Sequence, residues 1–167
     1  MITVRDSKRE DAEAVRAVEA SATTTLRQVY CPNRKAWRHR QSISRSLCRL
    51  VAESDGAIVG TTQYVVVEDV IRVIGLGVHH DFRRQGVARA LIGEVARQAQ
   101  SCGIRFVVLH TVEQTGNVPI FEALGFHVRS RCPEEYAESI TGGELTDVCL
   151  ELRMAASVTS HDDTASS

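Results

Sequence analysis

A strand, a basic turn and a helix that begins at a glycine follow one another in the middle of this chain, and this passage most constrains its fold. Residues 70–78 predict a central strand, and residues 86–101 carry the apolar stripe of an amphipathic helix. A helix start leaves its first amides unpaired and carries the positive end of the helix dipole. Gly86 has no side chain to block close approach, and three arginines between positions 83 and 89 add positive charge. The passage therefore predicts an anion site suited to the phosphates of a nucleotide-like cofactor.

Two other phosphate-binding motifs fit this passage less well. A Walker A loop ends in Gly-Lys-Ser/Thr, whereas Gly86 is followed by Val87. A dinucleotide fingerprint starting at Gly75 and Gly77 would need a third glycine where His80 stands. That phasing would also put the glycines inside the strand instead of after it.

Turn signals and apolar periodicity predict the rest of the fold. Asp55-Gly56 joins two antiparallel strands, and the strand–helix–strand unit over residues 70–112 should be parallel with a right-handed crossover. We therefore expect a single α/β (α+β) domain over residues 1–154 with a mixed sheet of six to seven strands. Strands are predicted at residues 2–5, 47–53, 57–68, 70–78, 105–112, 127–131 and 146–154, and helices at 8–21, 32–48, 86–101 and 118–124.

Composition limits the class of protein. Residues 155–167 are small and polar and cannot bury enough apolar area to offset their ordering entropy, so we expect a disordered tail. The formal net charge of −1 argues against nucleic acid or an anionic membrane as a partner. Five widely spaced cysteines without a Cys-x-x-Cys indicate a reducing compartment. With no apolar signal core and no membrane-length run, the sequence predicts a cytoplasmic protein.

Two blocks of sequence resemble a known family. Arg83-x-x-Gly86-x-Ala88 matches the Arg/Gln-x-x-Gly-x-Gly/Ala acetyl-CoA motif of the GNAT superfamily of N-acetyltransferases. The surrounding segment GVHHDFRRQGVARALI is similar to the family's fourth strand, pyrophosphate loop and third helix. Residues 109–112 resemble the fifth strand, and residues 117–126, ending in Leu-Gly-Phe, resemble the closing block. The resemblance covers about residues 2–154.

The resemblance implies an enzyme that moves an acetyl group from acetyl-CoA to a primary amine of a small molecule or a protein by direct attack. It also implies helices on both faces of the sheet, and a fourth and fifth strand that splay to admit the pantetheine arm. Strand residues 76–78 would bond the pantetheine and polarise the thioester carbonyl, and the amides of residues 84–89 would hold the pyrophosphate. The residues implied for cofactor binding are Leu76, Gly77, Val78, Arg83, Arg84, Gln85, Gly86, Val87, Ala88, Arg89, Asn117 and Phe121. Family members are often dimers, so a homodimer is compatible with the resemblance.

One position departs from the family pattern. Many members have a tyrosine that protonates the leaving thiolate where this chain has Phe121, and the asparagine that often precedes it aligns with Gln114. Three interpretations stay open. Another group, such as Tyr30, Tyr64, a cysteine or water, donates the proton; the CoA thiolate leaves unassisted; or the domain has lost catalysis.

A base must take the proton from an amine that is cationic in water. The candidates are His110 on the strand after the helix, Glu113 just beyond it and Glu68 before the central strand, each of which could instead be structural or solvated. His79-His80 could suggest a metal, but no third ligand stands at useful spacing, so we expect no metal site.

A cluster of basic residues in the predicted second helix bears on the acceptor. Its members are Arg34, Lys35, Arg38, Arg40, Arg45 and Arg49, with Trp37 and His39 among them. They predict either recognition of an acceptor that carries a carboxylate or a solvated face that contacts a partner. The function predicted is N-acetyl transfer, and the alternative is an acyl-CoA-binding sensor without turnover. The sequence names neither the acceptor nor the acyl chain length.

Overall fold

The computed structural model describes residues 1–43 and 46–155, and within these ranges nine strands form two sheets. The strands are β1 (Ile2–Asp6), β2 (Tyr30–Pro32), β3 (Cys48–Ser54), β4 (Ala57–Val67), β5 (Val70–Val78), β6 (Phe106–Val112), β7 (His127–Pro133), β8 (Ala137–Ser139) and β9 (Thr146–Arg153). The longer helices are α1 (Ala12–Leu26), α2 (Arg34–Ile43), α3 (Val87–Ser101) and α4 (Val118–Ala123). Seven strands form one mixed sheet in the order β1-β3-β4-β5-β6-β9-β7, and β2 pairs with β8 apart from it.

This architecture confirms the predicted α/β fold with a mixed sheet. Strands β3, β4 and β5 are antiparallel neighbours. Strands β5 and β6 are parallel neighbours, and α3 connects them along the chain. The β2–β8 pair was not predicted, because three-residue strands are too short to show a period of two and β2 ends on Pro32. The predicted tail falls almost wholly outside the described residues. No helix among residues 1–43 and 46–155 is both long and apolar enough to cross a membrane.

The first helix starts later than predicted. Residues 9–11 form a 3-10 turn, in which the Asp11 carboxylate accepts the Lys8 N–H at 2.7 Å. The α-helix therefore begins at Ala12, and it continues to Leu26, five residues past the predicted end.

The second helix is shorter than predicted. Pro32 belongs to β2, and the Asn33 side chain caps the helix by accepting the Lys35 and Ala36 N–H groups at 2.9 and 3.2 Å. The helix is described to Ile43, residues 44 and 45 lie outside the described ranges, and β3 follows at residue 48.

Helices cover opposite faces of the large sheet. A Cβ on Gly60 of β4 would lie 2.5 Å from Val87 Cγ1 of α3, whereas a Cβ on Gly77 would lie 3.1 Å from Ala22 Cβ of α1. Gly77 is paired with Thr61, the neighbour of Gly60, and side chains alternate between faces along a strand. The α1 and α3 contacts therefore lie on opposite sides. The main core fills the α3 side, where Leu91, Val95 and Leu150 are fully buried.

Candidate functional site

Strands β5 and β6 separate in the middle of the sheet, as the resemblance implied. They are paired only from Val70↔Phe106 to Val73↔Leu109 within the described residues. Beyond that junction β5 stays paired with β4, and β6 stays paired with β9. The two strands therefore border a gap, which we call the fork, that opens from the junction toward the start of α3.

The fork is lined by backbone groups of β5. The His79 N–H donates to Val59 O at 2.9 Å, and the Thr62 hydroxyl donates to Gly75 O at 2.7 Å, so odd-numbered residues at this end face β4. Because peptide groups alternate sides along a strand, Leu76 and Val78 present their N–H and C=O groups to the fork. The peptide groups of Gly77, which the resemblance grouped with these two residues, face β4 instead.

The turn after β5 leaves a run of amides without acceptors. Arg84 and Gly86 both have left-handed φ values, 61° and 84°, which is a conformation that gathers successive N–H groups around one point. The first hydrogen bond of α3 runs from Ala90 N–H to Gly86 O at 2.9 Å, so the N–H groups of residues 87–89 have no intrahelical partner. A Cβ on Gly86 would meet nothing within 4 Å, so the space in front of this turn is open.

Neighbouring contacts hold the turn in place. Gln85 Nε2 donates to Asp81 O at 2.9 Å, and Arg89 Nη2 donates to Ala123 O at the end of α4 at 3.1 Å. Val87 packs against Gly60 and is only 2% exposed, whereas Ala88 is half-buried. Arg83 and Arg84 are exposed beside the open space. The turn thus combines fixed backbone donors with cationic side chains.

Of the two cofactor residues predicted in the closing block, Phe121 lies on α4 and Asn117 directly before it. Asn117 precedes the helix, and its backbone oxygen accepts the Phe121 N–H at 3.1 Å. The Phe121 ring packs edge-on against the fully buried Phe126, with ring centroids 6.2 Å apart. A phenylalanine therefore keeps the packing of this helix without offering a proton.

Of the three candidate bases, His110 lies at the fork and has a partner that the sequence analysis missed. It directly follows Leu109, the last β6 residue paired with β5, and its Nδ1 lies 2.7 Å from Asp147 Oδ2 of β9. The His110 side chain is 47% exposed and that of Asp147 only 17%. Because a carboxylate only accepts, Nδ1 carries the hydrogen and the neutral ring keeps Nε2 free to accept a proton.

The same carboxylate contacts a thiol. Cys132 Sγ donates to Asp147 Oδ2 at 3.8 Å. Burial, followed by the nearby Asp147 charge, raises the pKa of the Cys132 thiol, so its neutral form is favoured. This environment does not produce a nucleophilic thiolate.

The other two candidate bases are less well placed to accept a proton at the fork. Glu113 follows β6 but forms an ion pair with Arg131 at 2.8 Å. Glu68 lies in the β4–β5 turn with a φ of 54°, at the end of β5 away from the fork. The structure therefore brings His110, and not Glu68, to the diverging end of the strands.

The tyrosines proposed as replacement proton donors are also held away from the fork. Tyr64 is 7% exposed in the α3-side core, where burial raises its pKa to about 12. Tyr30 lies on the separate β2–β8 sheet, and burial raises its pKa as well. Neither environment favours release of a proton near neutral pH.

The basic cluster is divided by the fold. Arg49 belongs to β3, where it pairs with Glu19 at 2.6 Å, and Arg45 is outside the described residues. The remaining basic residues lie on α2, which has no buried residue. There Lys35 approaches Glu135 at 3.8 Å, and the His39 ring lies 5.5 Å from that of Tyr136.

The turn after β5 also corrects one sequence argument. His79, His80 and Asp81 place their ligand atoms within 4.8 Å of one another, so a third ligand does stand at metal-binding spacing. The cluster is largely exposed, and His80 Nδ1 also contacts Ser21 Oγ at 2.9 Å.

Known N-acetyltransferases match part of this chain. N-acetyltransferase 8 of Rattus norvegicus is 35% identical over 107 residues, which cover 60% of this chain and 46% of that relative. Probable N-acetyltransferase family 8 member 5 of Mus musculus is 37% identical over 83 residues, which cover 46% of this chain and 37% of that relative. The chain thus spans less than half the length of these relatives.

Solved structures share the fold. The ribosomal-protein-S18-alanine N-acetyltransferase of Escherichia coli superposes with a TM-score of 0.70 at 18% identity, covering 96% of this chain and 98% of that one. The putative acetyltransferase yncA of Salmonella typhimurium, solved with its cofactor acetyl-CoA, superposes with a TM-score of 0.67 at 20% identity. The match covers 93% of this chain and 95% of that one. The model of the acetyltransferase (GNAT) family matches residues 12–126, which include the fork, the turn and α4. This chain therefore belongs to the GNAT family of acetyltransferases.

Proposed function

We propose that this chain transfers the acetyl group of acetyl-CoA to the nitrogen of a primary amine by direct attack. The observation that carries the proposal is the continuity of the fork with the amide-lined turn at Arg84 and Gly86. Acetyl-CoA has a pyrophosphate that suits the turn and a peptide-like pantetheine arm that suits the free edge of β5. Leu76 and Val78 supply donors and acceptors on that edge, spaced as a strand partner requires.

Beyond binding acetyl-CoA, the protein has to stabilise the developing oxyanion and accept a proton. A β5 amide in the fork would stabilise the negative charge that develops on the thioester oxygen, and it is fixed before the reaction begins. As the amine nitrogen bonds to the acetyl carbon, the carbon–sulfur bond breaks and the sulfur leaves as a thiolate. The cationic amine loses two protons in all: His110 Nε2 takes the one whose loss frees the lone pair for attack, and water takes the other as the amide forms. Asp147 holds the ring in the required tautomer.

A second candidate function is an acyl-CoA sensor without turnover, favoured by Phe121 in place of a proton donor. The leaving thiolate weakens this alternative, because thiols have pKa values near 8.5 and leave without much help at neutral pH. The positions of the two tyrosines considered as proton donors agree with a thiolate that leaves without protonation, since Tyr64 lies in the core and Tyr30 on the other sheet.

The first test is thermal unfolding with and without acetyl-CoA. Ligand binding to the folded state must raise the melting temperature of the wild type. Gly86→Glu puts a negative, bulky group in the open space before the amides, and it should abolish the shift. Gly142→Glu is the matched control, since Gly142 has a similar φ of 81° and equally open surroundings in another loop.

The outcomes separate the two functions. A shift that Gly86→Glu alone removes, followed by acetylation of primary amines, supports the transferase. The same shift without acetylation of any amine in a broad panel supports the sensor. No shift for folded wild type in millimolar acetyl-CoA would refute both.

A further inference from the structure

Arg72 is a half-buried cation on an inner strand of the sheet. It lies on β5 between Val65 of β4 and Val108 of β6, which are 4% and 8% exposed. Its neighbours Ile71 and Val73 belong to the core under α3, so the Arg72 side chain lies on the opposite face, the face of α1. The part of this side chain that is withdrawn from water needs a hydrogen-bond partner in place of the water it loses.

No such partner is present among the described residues. The Arg72 Nε atom is buried and makes no hydrogen bond. The two acids on the same face of β9 are engaged elsewhere, Glu151 with Arg129 and Asp147 with His110. Buried polar groups in proteins are nearly always hydrogen-bonded, so an unpaired guanidinium nitrogen calls for a ligand.

The position of Arg72 relates it to the fork. It is paired with Val108, and His110 follows two residues later on the same face of β6. Two residues of strand span roughly 7 Å, and neighbouring strands lie about 4.8 Å apart. Arg72 therefore faces the same region as the proposed base.

We propose that Arg72 binds the carboxylate of the acceptor, and that the acceptor is a small primary amine carrying such a group. This inference rests on the proposed function and specifies its substrate class. A guanidinium matches a carboxylate in a planar, two-bond arrangement that a lysine cannot reproduce. With the carboxylate on Arg72 and the amine near His110, the spacing suits one amino-acid-sized molecule.

The basic residues of α2 offer a rival site for the same carboxylate. They are solvent-exposed, so water already satisfies them, whereas Arg72 is half-buried with its Nε atom shielded from water. Lys35 also has Glu135 nearby. Arg38 represents this cluster in the test below. Arg97, exposed on α3 and paired with Glu94, is the control for loss of a surface arginine.

The test compares acceptors that differ only in the carboxylate. Alanine, leucine and phenylalanine are assayed beside their carboxamides with wild type, Arg72→Gln, Arg72→Lys, Arg38→Gln and Arg97→Gln. For wild type we expect kcat/KM to favour the acids by roughly tenfold to a hundredfold, the scale of one strong charge-assisted contact. Arg72→Gln should remove this preference by raising the KM of the acids, while the KM of acetyl-CoA and the constants of the amides stay the same. Arg72→Lys should restore part of it.

The result that overturns the inference is a preference that survives Arg72→Gln, is lost in Arg38→Gln instead, or is absent from wild type. If no amine is acetylated, the transferase proposal fails by itself. The thermal shift of CoA-loaded protein with each acid and its carboxamide then decides the role of Arg72. A shift specific to the acids that Arg72→Gln removes, in a variant whose unliganded melting curve stays cooperative, supports the carboxylate site, and equal shifts refute it.

Discussion

Gly60 of β4 lies directly against Val87, the first residue of α3, with no room for another carbon: a Cβ there would come within 2.5 Å of Val87 Cγ1 and 3.1 Å of Leu91 Cδ1. This contact sets how closely the start of α3, with its free amides, approaches the sheet. We expect Gly60→Ala to destabilise the protein by about 1–3 kcal/mol, as overpacked cores do, and to weaken acetyl-CoA binding. Urea unfolding and calorimetric titration measure the two effects.

A glycine within α3 supplies the control for that variant. Gly93 lies in the middle of the helix, and a Cβ there would meet nothing within 4 Å. Gly93→Ala should leave cofactor affinity unchanged and add up to about 1 kcal/mol of stability from helix propensity. Unchanged affinity in Gly60→Ala would mean that the position of Val87 does not control the turn.

The His110–Asp147 pair predicts a tautomer-dependent activity. Asp147→Asn can still hydrogen-bond the ring but no longer favours hydrogen on Nδ1, so we expect kcat to fall by at least about tenfold while the KM of acetyl-CoA is kept. His110→Ala should lose about 10²-fold or more, within the range of general base catalysis. Long-range proton–nitrogen NMR of His110 reports the tautomer directly.

Cys132→Ala is the control for this pair, since it removes the other contact to Asp147 Oδ2 without touching the imidazole. Wild-type activity is expected there. If Asp147→Asn changes the NMR tautomer and leaves kcat intact, His110 is not the base, and Glu113→Gln becomes the variant to assay.

The Arg5–Asp11 ion pair predicts acid sensitivity. Two hydrogen bonds from Arg5, at 2.8 and 3.0 Å, and one from the Lys8 N–H lower the pKa of Asp11 from 3.8 to about 2. Because the folded-state pKa lies below the unfolded value, this carboxylate stabilises the protein fully above about pH 4. The contribution is lost as the pH falls from there toward about 2.

Melting curves of wild type and Asp11→Asn from pH 7 to pH 2 measure this contribution. The wild type should melt at a higher temperature at neutral pH, and the difference should shrink below about pH 4. A difference that stays constant over the whole range would assign the effect to packing of the substituted side chain.

Phe121→Tyr tests how the thiolate leaves. The new hydroxyl adds a donor while the ring keeps its contact with Phe126. If the thiolate leaves unassisted, kcat should rise by less than about tenfold, well under the range of about 10²–10⁴ for acid catalysis. Activity that appears only in Phe121→Tyr would instead support the sensor.

The passage around Gly86 could be interpreted from sequence because its information is local. The strand, the turn glycine and the stripe of α3 lie within some thirty consecutive residues, and the structure confirms the predicted order. Gly77 shows the limit of that reasoning: the resemblance indicates the strand, but only the register with β4 shows that its peptide groups face away from the fork.

Contacts between residues far apart in the chain could not be predicted from the sequence, because they depend on which strands pair. Asp147 reaches His110 only because β9 inserts between β6 and β7, and no spacing in the chain indicates that pairing. In the sequence Arg72 is only a polar residue in a predicted strand, and its partial burial between two valines depends on neighbours from β4 and β6. The β2–β8 pair likewise depends on two segments far apart in sequence.

The short junction between β5 and β6 has a mechanical consequence. Within the described residues, the pairs from Val70↔Phe106 to Val73↔Leu109 are the ladder that joins the four strands on one side of the sheet to the three on the other. Beyond Val73 no pairing within the described residues ties β5 to β6, so the gap at Leu76 lacks the backbone hydrogen bonds that fix the strand spacing at Val73. A molecule bonded to both strands beyond this junction would supply the missing cross-link, so occupancy of the gap and rigidity of the protein should rise together.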